Sequence, residues 1–320
     1  MSDKIIYSVY SGSQLYGLTT PESDVDIVSV FMPTAYDLLS LQKRDLVEES
    51  TKKSSEKRRN DHNDIDNNSY SLPNYMKLIL QGNPNLTEIL FANPKQIIVD
   101  TPAFAFIKDN YEKFISKKVY DSFMGFAVSQ RKKLEYKSQR FHELEKAITY
   151  LKSSMILDNK MTQTMAEDLN KILQHYKGSK HNIEHFHVGL PIDIIQSKIQ
   201  EEYDQYGWRV HTESFSQLGF DKKYASHNLR LLAEGTELLD TGKITFPFTG
   251  EAYSDIMDVK VGKVPLDKFY LLSTKWEDKC RKAAEKSVLR TKPDFKWANT
   301  QLVQVLMEEI NKEYTTLRSK

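Results

Sequence analysis

The alternation of apolar and polar positions divides the chain into a first third that carries strands and a remainder that is helical. Short apolar runs rich in β-branched residues predict strands over residues 5–9, 26–32, 64–70 and 96–99. Ser71 followed closely by Pro73 predicts the start of a helix that ends at Gly82, and residues 85–91 predict a second, shorter helix. The first third of the chain is therefore mixed α and β.

From about residue 114 onward, apolar residues recur at the period of a helix. One apolar stripe extends from Phe123 to Leu151, and a second extends from Met165 to Tyr176. Further helices are predicted over residues 221–239, 266–288 and 297–314. The pattern as a whole predicts an α+β fold. We predict an N-terminal domain of mixed sheet and helices over residues 1–112, followed by a mostly α-helical domain over residues 113–320, which we expect to close a cleft for the substrate.

Composition narrows the class of protein. The 320 residues are 39% hydrophobic and 28% charged with a net charge of +1, which is typical of a globular chain and argues against a non-specific nucleic-acid coat. A single cysteine, Cys280, excludes an intrachain disulfide framework and a cysteine-rich zinc site. The N-terminus has no apolar signal core, and no apolar run is long enough to cross a membrane. We therefore expect a cytoplasmic protein without a membrane partner; the oligomeric state is not indicated.

Residues 42–63 are densely charged. A run of this kind usually forms a solvated loop, and we predict one here. A contact with nucleic acid is the alternative interpretation.

A turn directly after the first predicted strand carries the first candidate chemistry. Gly12 and Ser13 stand where that strand passes into a helix. Backbone N–H groups and a hydroxyl at such a turn can bind phosphate. Glycine and serine also form ordinary turns, so this signal is weak by itself.

Two carboxylates follow at short range. Residues two apart in a strand point to the same face, so Asp24 and Asp26 project together while Val25 points to the other side. Two carboxylates so close repel one another, and a bound Mg²⁺ ion is the usual compensation. A phosphate-binding turn followed by a carboxylate pair on a strand is the arrangement that phosphoryl and nucleotidyl transfer require.

These residues together resemble a known signature. Gly12 and Ser13, then Tyr16 and Gly17, then the stretch from Thr20 to Asp26 resemble the motif of nucleotidyltransferases of the DNA polymerase beta superfamily. The resemblance is closest to the predicted nucleotidyltransferases of bacteria and tailed phages, some of which are associated with RNA ligases. Later segments that resemble the same group are residues 70–72, 82–85, 88–91, 223–232 and 242–243.

The resemblance implies a third carboxylate on a neighbouring strand. Asp64 and Asp66 are the candidates, and the period of a strand places both on one face, so periodicity does not choose between them. The distance along the chain to Tyr70 resembles the family pattern better for Asp66, which we favour. Its role would be to share one metal ion and to help deprotonate the attacking hydroxyl. The alternative is that both are acids of a loop.

A basic face on a later helix is the next candidate. Lys223, His227 and Arg230 have the spacing of one helical face. The resemblance favours a role in closing over a triphosphate, to which such cations can donate charge-assisted hydrogen bonds. The alternative is an exposed face whose cations pair with Glu234 and Glu237.

A competing motif lies between His181 and His185, which match the H-x-x-E-H pattern of certain zinc peptidases. That chemistry needs both histidines on one sustained helix. Glycines closely precede and follow the motif, so we do not favour zinc hydrolysis. His175, His185 and His187 are interpreted as structural or surface histidines.

The sequence thus predicts a metal-dependent nucleotidyltransferase that moves a nucleoside monophosphate from a triphosphate such as ATP to an acceptor hydroxyl, with an RNA or tRNA end favoured. Asp24, Asp26 and Asp66 would be catalytic and would ligate two Mg²⁺ ions, for which Mn²⁺ could substitute. Gly12 and Ser13 would bind the nucleotide. The alternatives are an AMPylating enzyme acting on protein or a small molecule, and a nucleotide-binding regulatory protein.

Overall fold

The structure is a computed structural model, and it describes residues 4–21, 23–41, 43–51, 64–154, 158–174, 186–209 and 220–318. Within these ranges the chain begins with a mixed sheet of five strands and continues through helices. The predicted α+β fold is confirmed.

The sheet is built almost entirely from the first hundred residues. Its strands are β1 (Lys4–Tyr10), β2 (Val25–Met32), β3 (Leu46–Ser50), β4 (Ile65–Ser71) and β5 (Ile97–Asp100). The order across the sheet is β3-β4-β2-β1-β5, in which β1 is antiparallel to both β2 and β5, and β3 is antiparallel to β4. The pair formed by β2 and β4 is parallel. Four of the five strands lie within one residue of their predicted bounds.

Strand β3 was not predicted, because it lies inside the densely charged run of residues 42–63. Its side chains are exposed apart from a half-buried Val47. An edge strand is held by backbone hydrogen bonds on one side and can carry charged residues, so composition does not reveal it. The prediction of a loop is therefore wrong over residues 46–50. Residue 42 and residues 52–63 lie outside the described ranges.

Helices make up the rest of the described chain. They are α1 (Gly12–Tyr16), α2 (Ala35–Leu39), α3 (Leu72–Leu80), α4 (Pro84–Thr87), a 3-10 helix (Glu88–Phe91), α5 (Pro102–Lys108), α6 (Tyr111–Phe114), α7 (Lys118–Ser153), α8 (Gln163–Ile172), α9 (Ile192–Arg209), α10 (Lys222–Thr241), α11 (Gly250–Lys260), α12 (Leu266–Lys286) and α13 (Phe295–Arg318). Across the described ranges, no helix combines the length and the apolar character that crossing a membrane would need.

Helix α3 shows how the local sequence sets an element. The Ser71 side chain accepts a hydrogen bond from the Asn74 N–H at 3.4 Å, and Pro73 occupies the first turn, where its missing N–H costs nothing. Its buried side chains are Leu72, Tyr75, Met76, Ile79 and Leu80. Helix α9 was not predicted, although Ile192, Ile195 and Ile199 are buried at helical spacing. Charged residues are interspersed among its apolar positions, so the apolar pattern of this helix is weak.

The chain folds into two compact units. The first contains Met1–Ala127, Leu229–Met257 and Leu272–Lys320, and the second contains Val128–Asn228 and Asp258–Leu271. The whole sheet lies in the first unit, but helices from the predicted second domain contribute to both units. The division at residue 112 stays a prediction. Helix α13, near the C-terminal end of the described chain, places the fully buried Ala298 in the core that covers the sheet.

Each unit has its own apolar core. In the first unit, the buried Tyr7 stacks on Phe104 with ring centroids 4.2 Å apart, and Tyr75 packs against the same ring at 5.5 Å. In the second unit, Phe141 stacks on Tyr203 at 4.9 Å. Aromatic side chains bury more apolar area than other residues, so these contacts contribute strongly to each unit.

Gly17, at the end of α1, lies in close contact with Pro247, and a substitution there tests this part of the fold. Its φ is +70°, and a Cβ added there would lie 2.5 Å from Pro247 Cβ. Gly242 is a matched control, with a φ of +77° and a nearest heavy atom, Leu289 Cδ2, at 3.7 Å. Gly242→Ala should lower the free energy of unfolding in urea by about 1–2 kcal/mol, because alanine is strained in the left-handed region. Gly17→Ala should lose about 1–3 kcal/mol more from the clash. Equal losses would show that Pro247 moves aside without cost.

Candidate active site

Three aspartates meet at one end of the central strands. Strand β2 begins at Val25, so Asp26 lies within it and Asp24 immediately precedes it. The parallel register sets Asp26 directly beside Asp66 of β4. One carboxylate oxygen from each of Asp24, Asp26 and Asp66 lies within 4.8 Å of the other two, and all three residues are half-buried. We call this group the acidic triad.

Asp64 lies close to the triad in sequence but is not part of it. It precedes β4, is only 2% exposed, and accepts a hydrogen bond through its backbone carbonyl from the Val25 N–H at 3.0 Å. Of the two candidates for the third carboxylate, the structure brings Asp66 to Asp24 and Asp26. The catalytic role of Asp66 stays a prediction.

The acidic triad has the chemistry of a site for a divalent cation. Carboxylate oxygens are the ligands that hard cations such as Mg²⁺ prefer, and three of them so close together repel unless a cation lies between them. The spacing within the triad is compatible with oxygens that share one ion. The residues present therefore fit a bound metal ion.

The Gly12-Ser13 turn lies directly against the triad. Gly12 has a φ of +58°, and a Cβ added to it would lie 2.3 Å from Asp26 Oδ2. The Ser11 N–H donates to the Asp26 carbonyl at 2.8 Å. Glycine is thus required at position 12 both for the backbone conformation and for the close approach of the carboxylate. The structure brings the predicted phosphate-binding turn and the predicted metal ligands together.

The backbone donors of this turn have no acceptor within the part of the chain that the structure describes. The N–H groups of Gly12, Ser13 and Gln14 donate to none of the described residues, as is usual for the first turn of a helix. Such donors are available to an anion.

The predicted basic face of α10 is divided in the structure. Lys223 is exposed and His227 is half-buried, and both belong to the second unit. Arg230 belongs to the first unit and is only 5% exposed. Its Nη1 donates to Glu88 Oε2 at 2.6 Å and to Glu234 Oε1 at 3.0 Å. Arg230 therefore forms the pair with Glu234 that the alternative interpretation expected, but buried instead of exposed. Its contact with a nucleotide stays a prediction, as do those of Lys223 and His227.

Arg230 is the centre of a cluster that also contains Tyr16, Glu88 and Glu234, which we call the buried network. The Tyr16 hydroxyl donates to Glu88 Oε1 at 2.8 Å, and the Arg230 guanidinium carbon lies 4.6 Å from the centre of the Tyr16 ring. All four side chains are at least nine-tenths buried.

The electrostatics of the buried network follow from its two carboxyls and one guanidinium. Burial raises the pKa of Glu88, with Arg230 opposing the shift and Asp26 adding to it. Burial raises the pKa of Glu234 to about 8, again against the effect of Arg230. Burial disfavours the charged form of Arg230, but Glu234, Tyr16 and Glu88 outweigh it and raise the pKa of the guanidinium. The single cation, Arg230, thus pairs with two carboxyl groups, and one of these carboxyl groups holds a proton near neutral pH.

Sequence reasoning missed Tyr16 and Glu88 as members of a common cluster. Both lie in segments that resemble the family signature, and this resemblance was the only indication in the sequence that they contribute to the site. Glu234 follows Arg230 by four residues, a spacing that favours pairing on a helix. The contact between Tyr16 and Glu88 spans 72 positions and could not be inferred from spacing.

The competing zinc motif lies outside the residues that the structure describes. His175, His181, Glu184 and His185 lie outside the described residues. His187 is described and exposed.

An acidic triad at the ends of two parallel strands, beside a glycine-serine turn, defines the class of polymerase-beta-type nucleotidyltransferase domains. The family described as the RNA repair pathway DNA polymerase beta family, RlaP, matches residues 2–288, and the chain belongs to this family. The resemblance inferred from the motif is therefore confirmed, and membership supports a nucleotidyltransferase-like function.

Relatives extend this comparison to a phage. The chain is 28% identical over 291 residues to an uncharacterised 38.9 kDa protein from the nrdC-mobD intergenic region of Enterobacteria phage T4. The match covers 82% of this chain and 84% of the relative. No solved structure matches the chain significantly.

The raised pKa of Glu234 has a consequence for stability. The folded state binds this proton more tightly than the unfolded state, in which the pKa is about 4.5. Its contribution to stability is therefore present in full below pH about 4.5 and is lost as the pH rises to about 8. Glu234→Gln removes this dependence. The melting temperature of the variant minus that of the wild type should therefore increase as the pH rises from about 5 to about 9. Calorimetry in a chelator measures the difference. A difference that does not change with pH would contradict the assignment of the proton to this network.

Proposed function

We propose that the chain is a Mg²⁺-dependent nucleotidyltransferase that transfers a nucleoside monophosphate from a nucleoside triphosphate to the hydroxyl at an RNA end. The observation that carries the proposal is the contact between the turn and the triad. A phosphate-binding turn supplies donors for a triphosphate, and carboxylates beside it supply ligands for the cations that accompany a triphosphate. Here Gly12 approaches the Asp26 carboxylate so closely that no side chain fits between them.

Each residue has a proposed role. Ser13 and the backbone N–H groups of the turn hold the triphosphate, and Asp24 and Asp26 hold two Mg²⁺ ions, which Mn²⁺ can replace. Asp66 completes the ligand set. When bound, the ions would neutralise negative charge on the phosphates and on the attacking oxygen.

The reaction is an in-line substitution at the α-phosphorus. The acceptor oxygen forms a bond to this phosphorus, the bond from it to the bridging oxygen of the β-phosphate breaks, and pyrophosphate leaves. The hydroxyl loses its proton, and Asp66 is the group proposed to help remove it. Atoms and charge balance without a further reactant.

RNA is the proposed acceptor, and tRNA is one form of it. The name of the family refers to an RNA repair pathway, in which an RNA end would be the natural substrate. A cytoplasmic setting, in which both triphosphates and RNA are available, agrees with a chain that carries one cysteine.

The acceptor can be tested directly. The protein is incubated with Mg²⁺, each α-labelled nucleoside triphosphate in turn, and an RNA oligonucleotide that ends in a free 3′-hydroxyl. The control is the same oligonucleotide with a 3′-deoxy end, and a parallel reaction contains a protein extract. Label in the hydroxyl-ended RNA alone supports the proposal. Label in protein would favour AMPylation, and label in neither would favour a nucleotide-binding protein without turnover.

The acidic triad gives the first mutational prediction. Asp24→Asn, Asp26→Asn and Asp66→Asn should each reduce transfer by at least about a hundredfold, because each removes a ligand charge from the metal site. Melting temperatures in chelator should stay unchanged or rise, since each change relieves repulsion between carboxylates. Asp64→Asn is the matched control, and it should retain most of the activity even where it lowers stability. Loss of activity in Asp64→Asn equal to that in Asp66→Asn would contradict the proposed site.

The proposed contact of Lys223 with a phosphate gives a second prediction. A charge-assisted hydrogen bond contributes about 1.5–3 kcal/mol, so Lys223→Ala should lower kcat/KM for the triphosphate about ten- to a hundredfold. Its neighbour Lys222 points in a different direction from the same helix, and Lys222→Ala should have little effect. Melting temperatures of both variants should match the wild type. If the two variants behave alike, Lys223 does not bind the nucleotide.

A further inference from the structure

The buried network is the one charged cluster, within the described part of the first unit, that the proposed reaction does not use and that contacts the candidate site. Its Tyr16 is the last residue of α1, the helix that begins at Gly12. Its Glu88 lies close enough to Asp26 for the two carboxylates to repel, which contributes to the raised pKa of Glu88. The network therefore contacts α1 through Tyr16 and interacts electrostatically with Asp26 of the triad.

Helix α1 cannot hold its own position. It has five residues, and its N-cap Ser11 makes no side-chain cap hydrogen bond. Isolated helices shorter than about 12 residues are marginal in water, so tertiary contacts must fix this one. The position of Gly12 is set by the Ser11 hydrogen bond to Asp26 on one side and by the contacts at the other end of α1.

The contacts that hold α1 are concentrated at its C-terminal end. Gln96 Nε2 donates to the carbonyls of Gln14 at 3.1 Å and Leu15 at 2.7 Å. The Phe248 N–H donates to the Tyr16 carbonyl at 3.0 Å. The Tyr16 side chain adds the hydrogen bond to Glu88, and its ring lies against the Arg230 guanidinium. Tyr16 is thus the side chain through which α1 is tied to the network.

The other end of α1 has almost no tolerance for movement. The position of a Cβ on Gly12 would be 2.3 Å from Asp26 Oδ2, and the adjoining Ser11 N–H donates to the Asp26 carbonyl. A shift of α1 by a fraction of an ångström would change the approach of the turn to this carboxylate. Because the helix is short, loosening Tyr16 loosens Gly12 as well.

The composition of the network also argues for more than stability. Taking charges out of water costs free energy that pairing often fails to recover, and apolar residues of similar volume are commonly as stable. Here two buried carboxyls share one guanidinium, so one carboxyl must either lack a counter-charge or hold a proton, and either state costs free energy. Burial of this cluster costs free energy, and the cluster adjoins the site. Its presence is therefore better explained by the position of α1 that it fixes.

We infer that Glu88 and Arg230 are positioning residues that act through Tyr16, holding α1 so that the Gly12-Ser13 turn keeps its place against Asp26. The inference rests on the proposed function for its kinetic consequence, but the placement of Asp26 can be tested without turnover. Glu234 completes the network by holding Arg230 at 3.0 and 3.1 Å.

Tyr16→Phe tests the inference, because it removes one hydroxyl and keeps the ring. Tyr75→Phe is the matched control, since Tyr75 is also fully buried and its hydroxyl donates to the Leu86 carbonyl at 3.2 Å, away from α1. Both variants lose one buried hydrogen bond, and the fall in melting temperature should be at least as large for Tyr16→Phe, whose acceptor is a carboxyl group, as for Tyr75→Phe, whose acceptor is a backbone carbonyl. Mn²⁺ affinity is measured by electron paramagnetic resonance without nucleotide, and kcat and KM are measured well below the melting temperatures.

Tyr16→Phe should lower kcat about tenfold with a smaller change in KM, because a misplacement of less than an ångström is costly to a reaction but less so to binding. It should also weaken Mn²⁺ binding by about threefold or more, through the displaced Asp26. Tyr75→Phe should change neither quantity. If the two variants agree in Mn²⁺ affinity and in kcat, the network is only structural and the inference is overturned. A wild-type chain that transfers no nucleotide would refute the proposed function, and the Mn²⁺ affinities of the two variants would still decide the inference.

Discussion

The parallel pairing of β2 with β4 is the constraint on which the candidate site depends. It sets Asp26 beside Asp66, and the bond from the Val25 N–H to the Asp64 carbonyl fixes where that pairing begins. Side chains alternate between the faces of a strand, so a slip of one residue would turn Asp66 away and bring a neutral neighbour to its place. The edge strand β3 adds an antiparallel partner to β4 and thereby supports this register.

The same constraint concentrates negative charge. The acidic triad places three carboxylates within 4.8 Å of one another at the start of β2 and β4. Repulsion of this kind is a cost to the folded state, and proteins commonly accept such a cost where a site must attract a cation. The close spacing of these carboxylates thus favours binding of a metal ion.

Helix α1 connects the acidic triad with the buried network, although it is the part of the site least able to form by itself. It is held by Gln96 from the segment before β5, by Glu88 from the 3-10 helix, and by Arg230 and Phe248 from beyond residue 228. Residues from the C-terminal half of the chain therefore contribute contacts to the N-terminal site. This explains why the first unit draws on three separate segments of sequence.

The sequence by itself determined four of the five strands, the main helices other than α9 and much of the chemistry. The two-residue period of β2 joined Asp24 to Asp26, and the Gly12-Ser13 turn after β1 carried the family resemblance that was confirmed. Such signals are local, because the period of a strand and the backbone freedom of glycine are properties of a few adjacent residues.

Only the tertiary structure decided the rest. It brought Asp66 and not Asp64 to the triad, formed β3 within a charged run, and buried Arg230 against Glu88, which lies 142 positions away. Each of these outcomes depends on strand register or on burial. Register is set by hydrogen bonds between segments, and burial is set by packing of faces that lie far apart in the chain, so no local pattern specifies them.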